Sequence, residues 1–545
     1  MKTDNQSSTP IYSTRITTDH RVIFLFLFLF ACLSNPALAQ LTQTHRYERD
    51  QKNSSEYFTA ISLKGNGIAL VREKEKFSGN KRKWELVILD TALQEKHNLE
   101  FEIEQRHTLM GFEIVPHQLL LLFRMGETNK NSLQLVTFDV NKGEEIGRHE
   151  IKPELDFKIT HFHKTGEHIV LGGYVNNEPA VLLYTPAENQ IKVLPGFFQK
   201  DTEVVDIRVN QNQTFNTVLI DRSSRAERKL IFKTFDENGV LLLESIVPIE
   251  ENITLQTSMS STLEREDLVV LGTWGERTSK QSNGFFAVKV DPFNEQRIQY
   301  THFGMLDHFL DYLKPKRATR IKEKTKEDLQ SGKKPDFTAY VVPFKIEERP
   351  EGYLLLAEVY NPSSVNVYSS NPYYNNPYGY NPYGFYNPYW SGYYPGMRVY
   401  RPSYAYGNNL KNAEDIKTFA STLLFFDPNG KLRWDYSIKI DDIQRSALEQ
   451  VSEFHYSPTS VVFFYKKKSE LLVKNIVLQT GEVISDVVKI KLNDPIEEIR
   501  SEKNETGIGH WHDNTYFVWG YQTIRNVTKA ERVRDVFYIN KIQIQ

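Results

Sequence analysis

The sequence predicts an all-β protein, and three observations lead to this prediction. Short runs rich in Val, Ile, Leu, Phe and Tyr alternate with turns rich in Asn, Asp, Gly and Pro over most of the chain. A strand–turn–strand pattern recurs at intervals of about fifty residues. The composition, with 40% hydrophobic and 25% charged residues among 545, is that of a globular protein and excludes a disordered chain or a polytopic membrane protein.

The recurring unit is an apolar strand that ends near an aspartate, followed by a polar turn and a second strand. The residues at this marker position are Asp90, Asp139, Thr185, Asp236, Asp291, Asp427, Leu478 and Asn540. Successive spacings are 49, 46, 51, 55, 136, 51 and 62 residues, and the longest interval contains two insertions. Each unit also holds two earlier strand-like runs, which makes four short strands per unit. Such units, repeated about eight times, predict a single β-propeller of seven or eight four-stranded blades, because small sheets bury both faces when they stack in a ring.

Closure of this ring is expected to combine the two ends of the chain. Residues 44–48 form a strand-like run that would complete the last unit, whose final run is 533–544. The competing fold is a pair of β-sandwiches in tandem, which would explain the strands but not their regular spacing.

One unit resembles the repeat of quinoprotein-type propellers, in which an aspartate, a Thr-Gly turn and a tryptophan recur in each blade. This unit reads FDPNGKLRW at 426–434, and the turn is echoed at 141–143 and 479–481. The resemblance implies the propeller fold but no quinone cofactor, because quinone-binding members carry an adjacent cysteine pair that this sequence lacks. In overall design, the chain also resembles uncharacterised exported propellers of Bacteroidetes-like bacteria.

Residues 1–39 are predicted to form a secretory signal peptide. An apolar run of twelve residues at 22–33 is followed by Ala37 and Ala39, the small residues that favour cleavage after position 39. The run is shorter than the roughly 20 residues of a membrane span, so an uncleaved anchor is the less favoured alternative. A lipid anchor at Cys32 is a second alternative, because residues 29–32 loosely resemble a bacterial lipobox.

After this cleavage, the β-propeller domain would span residues 40–545 and contain no cysteine, which excludes disulfides and thiol catalysis. The whole chain has 67 Lys and Arg against 69 Asp and Glu, so no overall charge selects for nucleic acid. We therefore expect an exported protein of the periplasm, the outer surface or the secreted space. It would not be transmembrane once processed, and no specific nucleic-acid partner is predicted.

The first insertion in the repeat spans residues 303–336. It opens with Leu306, Phe309, Leu310 and Leu313, whose spacing predicts one apolar face of a helix. Residues 314–334 then contain nine Lys or Arg against three Glu or Asp. One interpretation is a contact with a polyanion. The other is a solvated helix that docks by its apolar face, with charge pairs between residues four apart on its outside.

The second insertion, residues 361–412, is of low complexity and rich in Tyr, Asn and Pro. Thirteen of the 29 tyrosines of the chain lie between Tyr368 and Tyr406. Proline disfavours a regular strand while Asn and Gly favour turns, so we expect a chain of turns and extended pieces. Tyrosine rings are suited to stacking on sugar faces or on other aromatic rings. The alternative is a sequence expansion without a ligand.

The two insertions are expected to lie on the same face of the propeller, because loops of an antiparallel blade alternate between its two ends. The first insertion joins the last strand of one blade to the first strand of the next, and the second joins the second and third strands of that blade. Aromatic residues would stack on a ligand there, and cations would attract its anionic groups. The candidate ligand-binding residues are Tyr373, Tyr378, Tyr383, Tyr389, Trp390, Lys314, Lys316, Arg317 and Arg320.

Two His-x-His pairs, His161 with His163 and His510 with His512, are weak candidates for metal ligands. Residues i and i+2 of a strand face the same side, so each pair could chelate an ion. The pairs fall in the third and eighth units, however, on the face opposite the insertions, and no metal site is predicted. No phosphate-binding loop, dinucleotide fingerprint or nucleophile elbow occurs in the sequence, so no cofactor is predicted either.

These features predict an exported, non-catalytic binding or scaffold protein of the cell envelope. It would contact glycan or protein partners through the insertion-bearing face. The alternative is a carbohydrate-active hydrolase or lyase that uses the central cleft of the propeller, for which the sequence singles out no catalytic residue. A structural subunit of an envelope complex is a third interpretation.

Overall fold

The computed structural model describes residues 40–545 apart from short gaps and one long one. The residues left out of this range are 54–55, 106, 126–131, 177, 223–226, 264, 266, 278, 280, 363–415, 446–447, 527 and 529–532. The predicted signal peptide with Cys32, and nearly all of the second insertion, therefore lie outside the described residues.

The described residues form eight antiparallel sheets, which are the blades of a propeller ring. Strand β1 (Leu41–Asp50) belongs to the last blade, and each of the first seven blades has four strands in sequence order. The first strands of most neighbouring blades contact each other, which places these strands around the axis. The predicted all-β propeller is thereby confirmed, with eight blades.

Blades 1 to 4 follow β1 directly along the chain. Blade 1 consists of β2 (Thr59–Ser62), β3 (Ile68–Ser78), β4 (Lys81–Leu89) and β5 (Glu95–Glu104). Blade 2 consists of β6 (His107–Val115), β7 (Gln118–Met125), β8 (Leu133–Asp139) and β9 (Glu144–Ile151). Blade 3 consists of β10 (Phe157–Thr165), β11 (His168–Val175), β12 (Glu178–Thr185) and β13 (Gln190–Val193). Blade 4 consists of β14 (Thr202–Val209), β15 (Phe215–Asp221), β16 (Arg228–Phe235) and β17 (Leu241–Ile249).

Blades 5 to 8 include the two insertions and the closure of the ring. Blade 5 consists of β18 (Ile253–Ser260), β19 (Leu268–Glu276), β20 (Gly284–Val290) and β21 (Gln299–His302). Blade 6 consists of β22 (Tyr340–Arg349), β23 (Gly352–Pro362), β24 (Ile416–Phe426) and β25 (Leu432–Arg445). Blade 7 consists of β26 (Ser452–Tyr456), β27 (Ser460–Lys467), β28 (Glu470–Val477) and β29 (Val483–Lys489). Blade 8 consists of β30 (Glu497–Glu502), β31 (Gly507–His512), β32 (Thr515–Asn526), β33 (Val533–Ile544) and β1.

The ring closes by antiparallel pairing of β1 with β33, the two strands from opposite ends of the chain. The register runs from Leu41 opposite Ile544 to Asp50 opposite Val536. Strands β30 and β31 pair with successive parts of β32 and together form the inner edge of blade 8. The N-terminal strand therefore supplies the outermost strand of the last blade, as the sequence predicts.

The repeated aspartate caps the hairpin between the third and fourth strands of a blade. At Asp90, for example, Oδ1 accepts hydrogen bonds from the backbone N–H groups of Ala92 and Gln94, each at 2.8 Å. Such side-chain bonds satisfy turn donors that have no strand partner. The same bonding is found at Asp139, Asp236, Asp291 and Asp427.

Asn540 is an exception to this pattern. It lies inside β33 and is fully buried, not at a turn. The reason is that the fourth strand of blade 8 comes from the N-terminus, so the chain forms no hairpin after β33. The sequence pattern therefore predicts the strand at Asn540 correctly, but the turn that it predicts after Asn540 is wrong.

The first insertion begins differently from the single helical face that the sequence predicts over 306–313. Two short 3-10 helices, Phe303–Met305 and Phe309–Tyr312, precede the α-helix α1 (Pro315–Gln330). Proline at the first helical position has no N–H and would clash with a preceding helical turn, so α1 starts at Pro315. The prediction of burial is correct all the same, since Leu306, Phe309 and Leu310 are 2% exposed or less.

Candidate binding surface

The first insertion is fixed to the ring by an aromatic and aliphatic wedge between blades 5 and 6. Phe303 and Phe309 stack with ring centroids 4.3 Å apart and lie in one core cluster with side chains of both blades. Full burial of such a side chain contributes roughly 1.5–3 kcal/mol to stability. The insertion is therefore part of the folded core and not a loose appendage.

Polar contacts hold the same segment against β25, the outer strand of blade 6. The carboxylate of buried Asp435 accepts hydrogen bonds from the backbone N–H groups of Asp307 and His308, each at 2.8 Å. Ser437 donates its hydroxyl to the carbonyl of His308 at 2.6 Å. Burial raises the pKa of Asp435, although the two N–H donors lower it. This outer edge is thus covered by a loop, which protects it from pairing with another strand.

Replacement of Asp435 by alanine should release the start of the insertion while the propeller stays folded. We expect hydrogen exchange over residues 303–313 to accelerate about tenfold or more, because two backbone donors lose their acceptor. Asp441→Ala is the matched control, since this carboxylate on the same strand is half exposed and pairs with Lys439 at 3.2 Å. Equal exchange in both variants would show that Asp435 does not anchor the segment.

Helix α1 packs against this wedge through a narrow face. Ala318 and Ile321 contact the core cluster, and Thr325 is buried against Gly304. A side chain at position 304 would overlap Thr325, so glycine permits this close approach. The opposite face of the helix is left to the solvent.

The cations predicted to attract anionic groups lie on this exposed side, at the beginning of the helix. Lys314, Lys316, Arg317 and Arg320 are exposed, and none of them has an ion-pair partner among the described residues. The expected charge pairs between helix residues four apart are also absent from the part of the chain that the structure describes.

Other charges of the insertion are used differently. Lys322 donates to the backbone carbonyl of Asp307, and Lys324 pairs with Asp336 outside the helix. The acidic residues Glu323, Glu327 and Asp328 follow the unpaired cations, and the first turn contains no acidic residue. Cations at a helix N-terminus oppose the helix dipole, each at a cost of about 0.3–1 kcal/mol. Helix stability therefore does not explain this order of charges.

The connections that carry the two insertions leave blade 6 at the same end. Tyr340, the first residue of β22, lies opposite Tyr360. Pro362, at the end of β23, lies opposite Ile416, at the start of β24. The rings of Tyr340 and Tyr360 are 5.6 Å apart. The five aromatic candidates of the second insertion lie outside the described residues. These are Tyr373, Tyr378, Tyr383, Tyr389 and Trp390.

The histidine pair of blade 3 is divided between two environments. His161 is buried, and burial lowers its pKa well below the ordinary value. A register shift between Ile159 and His161 marks a bulge in β10. His163 lies 3.5 Å from the Glu113 carboxylate of blade 2. His163 therefore contributes to the contact between blades 2 and 3.

The histidine pair of blade 8 also bonds to neighbouring protein groups. His510 Nε2 lies 2.8 Å from the carbonyl oxygen of Asp513, and His512 Nδ1 lies 3.1 Å from the Asp513 carboxylate. Burial and the nearby Lys345 lower the pKa of His510. Within the described ranges, no three His, Cys, Asp or Glu side chains are placed to hold a metal ion.

The structure brings together a charged cluster near the axis that sequence analysis missed. The Lys345 ammonium lies 2.5 Å from Glu347 and 3.2 Å from Glu453, which joins blade 6 to blade 7. Arg349 lies 2.5 Å from Glu347, and the backbone N–H of His510 donates to Glu453 at 3.2 Å. The Lys-x-Glu-x-Arg pattern of β22 was the signal available in the sequence, because alternate residues share one face of a strand.

The electrostatics of this axial cluster favour the ionised form of Glu347. Burial raises the pKa of Glu347, but Lys345 and Arg349 outweigh burial and lower it to about 2. A general acid of a glycoside hydrolase must instead hold its proton near neutral pH. The cluster is therefore suited to joining the inner strands of blades 6, 7 and 8, and Glu347 is not suited to proton donation.

No family model matches the chain, and no curated protein matches it. Among solved structures, the chain is similar to the polysaccharide lyase Uly1 at 8% identity, with a TM-score of 0.37 over 92% of this chain and 100% of that one. It is also similar to the β-propeller domain of the Trilobed protease from Pyrococcus furiosus, at 10% identity and a TM-score of 0.33, over 80% and 93% of the two chains. A eukaryotic initiation factor gives 10% identity and a TM-score of 0.39 over 92% and 98%.

At such identities and scores, these similarities carry no argument about activity. They give no support to the resemblance to quinoprotein-type repeats or to exported propellers of Bacteroidetes-like bacteria. Among the helices that the structure describes, none is long and apolar enough to cross a membrane.

Proposed function

We propose that this propeller is an exported, non-catalytic binding protein that contacts acidic glycans of the cell envelope through its insertion-bearing end. The observation that carries this proposal is the group of four exposed cations at the beginning of α1. Lys314, Lys316, Arg317 and Arg320 have no ion-pair partner among the described residues, and their helix is docked on a buried wedge.

The energetic argument is that these cations are costly in the free protein. Lys314, Lys316 and Arg317 lie at the N-cap or in the first turn and oppose the helix dipole, and the four cations repel one another. A ligand with closely spaced carboxylates or sulfates would relieve both effects. A rigid helix also fixes the spacing of the charges before binding, which limits the conformational entropy lost on association. The second insertion would add aromatic stacking from tyrosines on the same end of blade 6.

The alternative of a hydrolase or lyase in the central cleft is not favoured by any contact described above. Two carboxylates of inner strands, Glu347 and Glu453, both bond to Lys345. We therefore propose a binding role. We prefer glycans to proteins as the ligand class, because the exposed groups are cations and fit a polyanionic ligand.

The proposal is tested by titration of the protein with polygalacturonate and with its neutral methyl ester. The test variant carries Gln at 314, 316, 317 and 320. The control variant carries Gln at four exposed cations of the opposite end of the ring, namely Lys64, Lys142, Arg297 and Lys431. We expect the test variant to bind the acidic polymer about 10- to 100-fold more weakly, since each exposed charge contact contributes about 0.2–1 kcal/mol.

Further outcomes separate this proposal from a structural role of the same residues. The test variant should keep or slightly raise its melting temperature, because it removes charges that oppose the helix dipole. Binding of the wild type should weaken with added salt, and the methyl ester should bind poorly. Equal affinity of both variants for polygalacturonate, or equal binding of the neutral ester, would contradict the proposal.

A further inference from the structure

The exposed face of helix α1 changes the sign of its charge halfway along the helix. Lys316 and Arg320 are followed on the same face by Glu323 and Glu327, because spacings of four, three and four residues bring side chains onto one side of a helix. All four side chains are exposed, and none has an ion-pair partner among the described residues. The face therefore presents two free cations and then two free carboxylates.

This face lies opposite the side by which the helix is docked. Successive residues turn by about 100° around a helix axis. Ala318 and Ile321, which contact the core cluster, therefore lie on the other side from Lys316 and Arg320. A rise of about 1.5 Å per residue separates Arg320 from Glu323 by only about 4.5 Å along the axis. The docked helix thus presents both signs of charge to the solvent, close together and at a fixed spacing.

Helix stability explains this order of charges at neither end of the helix. Carboxylates stabilise the beginning of a helix and cations stabilise its end. The first turn of α1 has no acidic residue, however, and its last turn has no basic residue. Glu327 lies in that last turn, where its charge opposes the helix dipole. The order of charges is therefore better explained by what this face meets.

A polyanion that ran along this face would be attracted at the cations and repelled at the carboxylates. Ligand carboxylates placed beside Glu323 and Glu327 would meet like charges, which repel each other at close range even in water. Exposed charges farther apart than about 8 Å are largely screened at physiological salt. A ligand that stays over Lys314 and Arg317, at the beginning of the helix, is therefore hardly affected by Glu327.

We propose that Glu323 and Glu327 limit the glycan contact to a short acidic stretch that crosses the beginning of α1 instead of running along the helix. This inference rests on the proposed glycan contact and defines the specificity of the same site. The four cations of that contact span about 9 Å along the axis, from Lys314 to Arg320. Closely spaced acidic sugars are enough to occupy them. The carboxylates add specificity by repulsion, because they reject a ligand placed along the helix.

Calorimetric titration of the full chain with trigalacturonate and with long polygalacturonate tests this limit. The test variant carries Glu323→Gln and Glu327→Gln. We expect it to bind the polymer roughly 3- to 10-fold more tightly than the wild type, per galacturonate unit, because two like charges no longer repel the chain. Its affinity for trigalacturonate should stay within about twofold of the wild type, because the short ligand lies over the beginning of the helix.

The control variant carries Glu188→Gln and Glu482→Gln. Both carboxylates are exposed, and they lie in hairpins between the third and fourth strands of blades 3 and 7, away from the insertion-bearing end. This variant changes the net charge by the same amount and should bind both ligands as the wild type does. Circular dichroism should show the same fold for the wild type and both variants.

The other outcomes overturn the inference. Equal affinity of the test variant and the wild type for the polymer would show that the two carboxylates do not restrict the ligand. An equal gain for trigalacturonate would show that they act only by neutralising the nearby Arg320. An equal gain in the control variant would show an effect of net charge alone.

The variant with Gln at the four cations separates failure of this inference from failure of the proposed function. If that variant loses polygalacturonate binding while the test variant gains nothing, the glycan contact exists and only its proposed limit is wrong. If that variant binds polygalacturonate as the wild type does, the glycan contact is absent and the inference falls with it.

Discussion

Alanine at position 358 is expected to lower the free energy of unfolding by about 3–5 kcal/mol at pH 4.5, whereas glutamine should change it at that pH by less than about 1 kcal/mol. Glu358 lies in β23, is 1% exposed and connects blade 6 to blade 7. One carboxyl oxygen accepts hydrogen bonds from the backbone N–H of Val451 at 2.9 Å and of Ser452 at 3.1 Å. The Ser452 hydroxyl donates to the same oxygen at 3.2 Å. Alanine leaves the two backbone N–H donors without this acceptor, while the Ser452 hydroxyl can still donate to Ser421 at 2.7 Å. Glutamine keeps an acceptor oxygen.

The pH dependence of stability gives a second expectation for the same residue. Burial raises the pKa of Glu358 to about 8, although the donors of Val451 and Ser452 lower it. The folded state therefore keeps a proton that the unfolded state loses above its pKa of 4.5. The stability that this carboxyl contributes is complete below that pH and declines as pH rises toward 8.

Urea unfolding at several pH values between 4.5 and 8 measures this effect. Within this window, the wild type should lose up to about 1.4 kcal/mol per pH unit relative to Glu358→Gln, which has no proton to lose. Parallel pH profiles of the two proteins would show that Glu358 is ionised in the folded state. Equal stability of the alanine and glutamine variants would show that its hydrogen bonds do not join the blades.

Glutamine at position 48 is the second large change, with an expected loss of about 3–5 kcal/mol. Glu48 lies in the closing strand β1, with its side chain only 7% exposed. Its carboxylate lies 2.5 Å from Arg46 and 2.5 Å from Arg534 of β33. A neutral amide leaves buried Arg46 without a full counter-charge and weakens the pairing that closes the ring.

Asp50→Asn is the matched control for ring closure. Asp50 lies on the same strand, 3.4 Å from Arg534, but its side chain is 64% exposed. Loss of such an exposed ion pair should change the free energy of unfolding by about 0–1 kcal/mol. If urea unfolding gives the same loss for both variants, the buried ion pair is not what holds β1.

Acid should affect Glu48 and Glu358 in opposite directions. Burial raises the pKa of Glu48, but Arg46 and Arg534 outweigh burial and lower it below its usual 4.5. Its contribution is therefore present above pH 4.5 and is lost as pH falls through the lowered pKa. The difference in stability between wild type and Glu48→Gln should shrink in acid.

Much of the fold was predictable because the same aspartate-capped turn recurs in most blades. An aspartate after an apolar strand caps a hairpin. The spacing of these aspartates predicts seven or eight blades, and the structure has eight. The exception at Asn540 has a topological reason, since the last hairpin is replaced by pairing with the N-terminal strand. The start of the first insertion was predicted as helix because its apolar spacing is helical, and Pro315 confines α1 to a later start.

The candidate site was predictable in part. The exposure of Lys314, Lys316, Arg317 and Arg320 follows from the charge run, but the absence of charge pairs does not. Lys324 pairs with Asp336, twelve positions away, instead of with a residue one turn along the helix. Contacts between blades, such as Glu358 with Ser452 or Lys345 with Glu453, join residues about a hundred positions apart and leave no local pattern.

Hydrogen exchange of the full chain, with and without polygalacturonate, tests the central proposal most directly. We expect protection on binding over residues 303–334 and over the second insertion, 361–412, with little change in the inner strands. The result that would contradict the account is protection concentrated at the axis, in residues 345–349, 452–456 and 507–512. That pattern would place the ligand in the central cleft and would favour an enzyme over a binding protein.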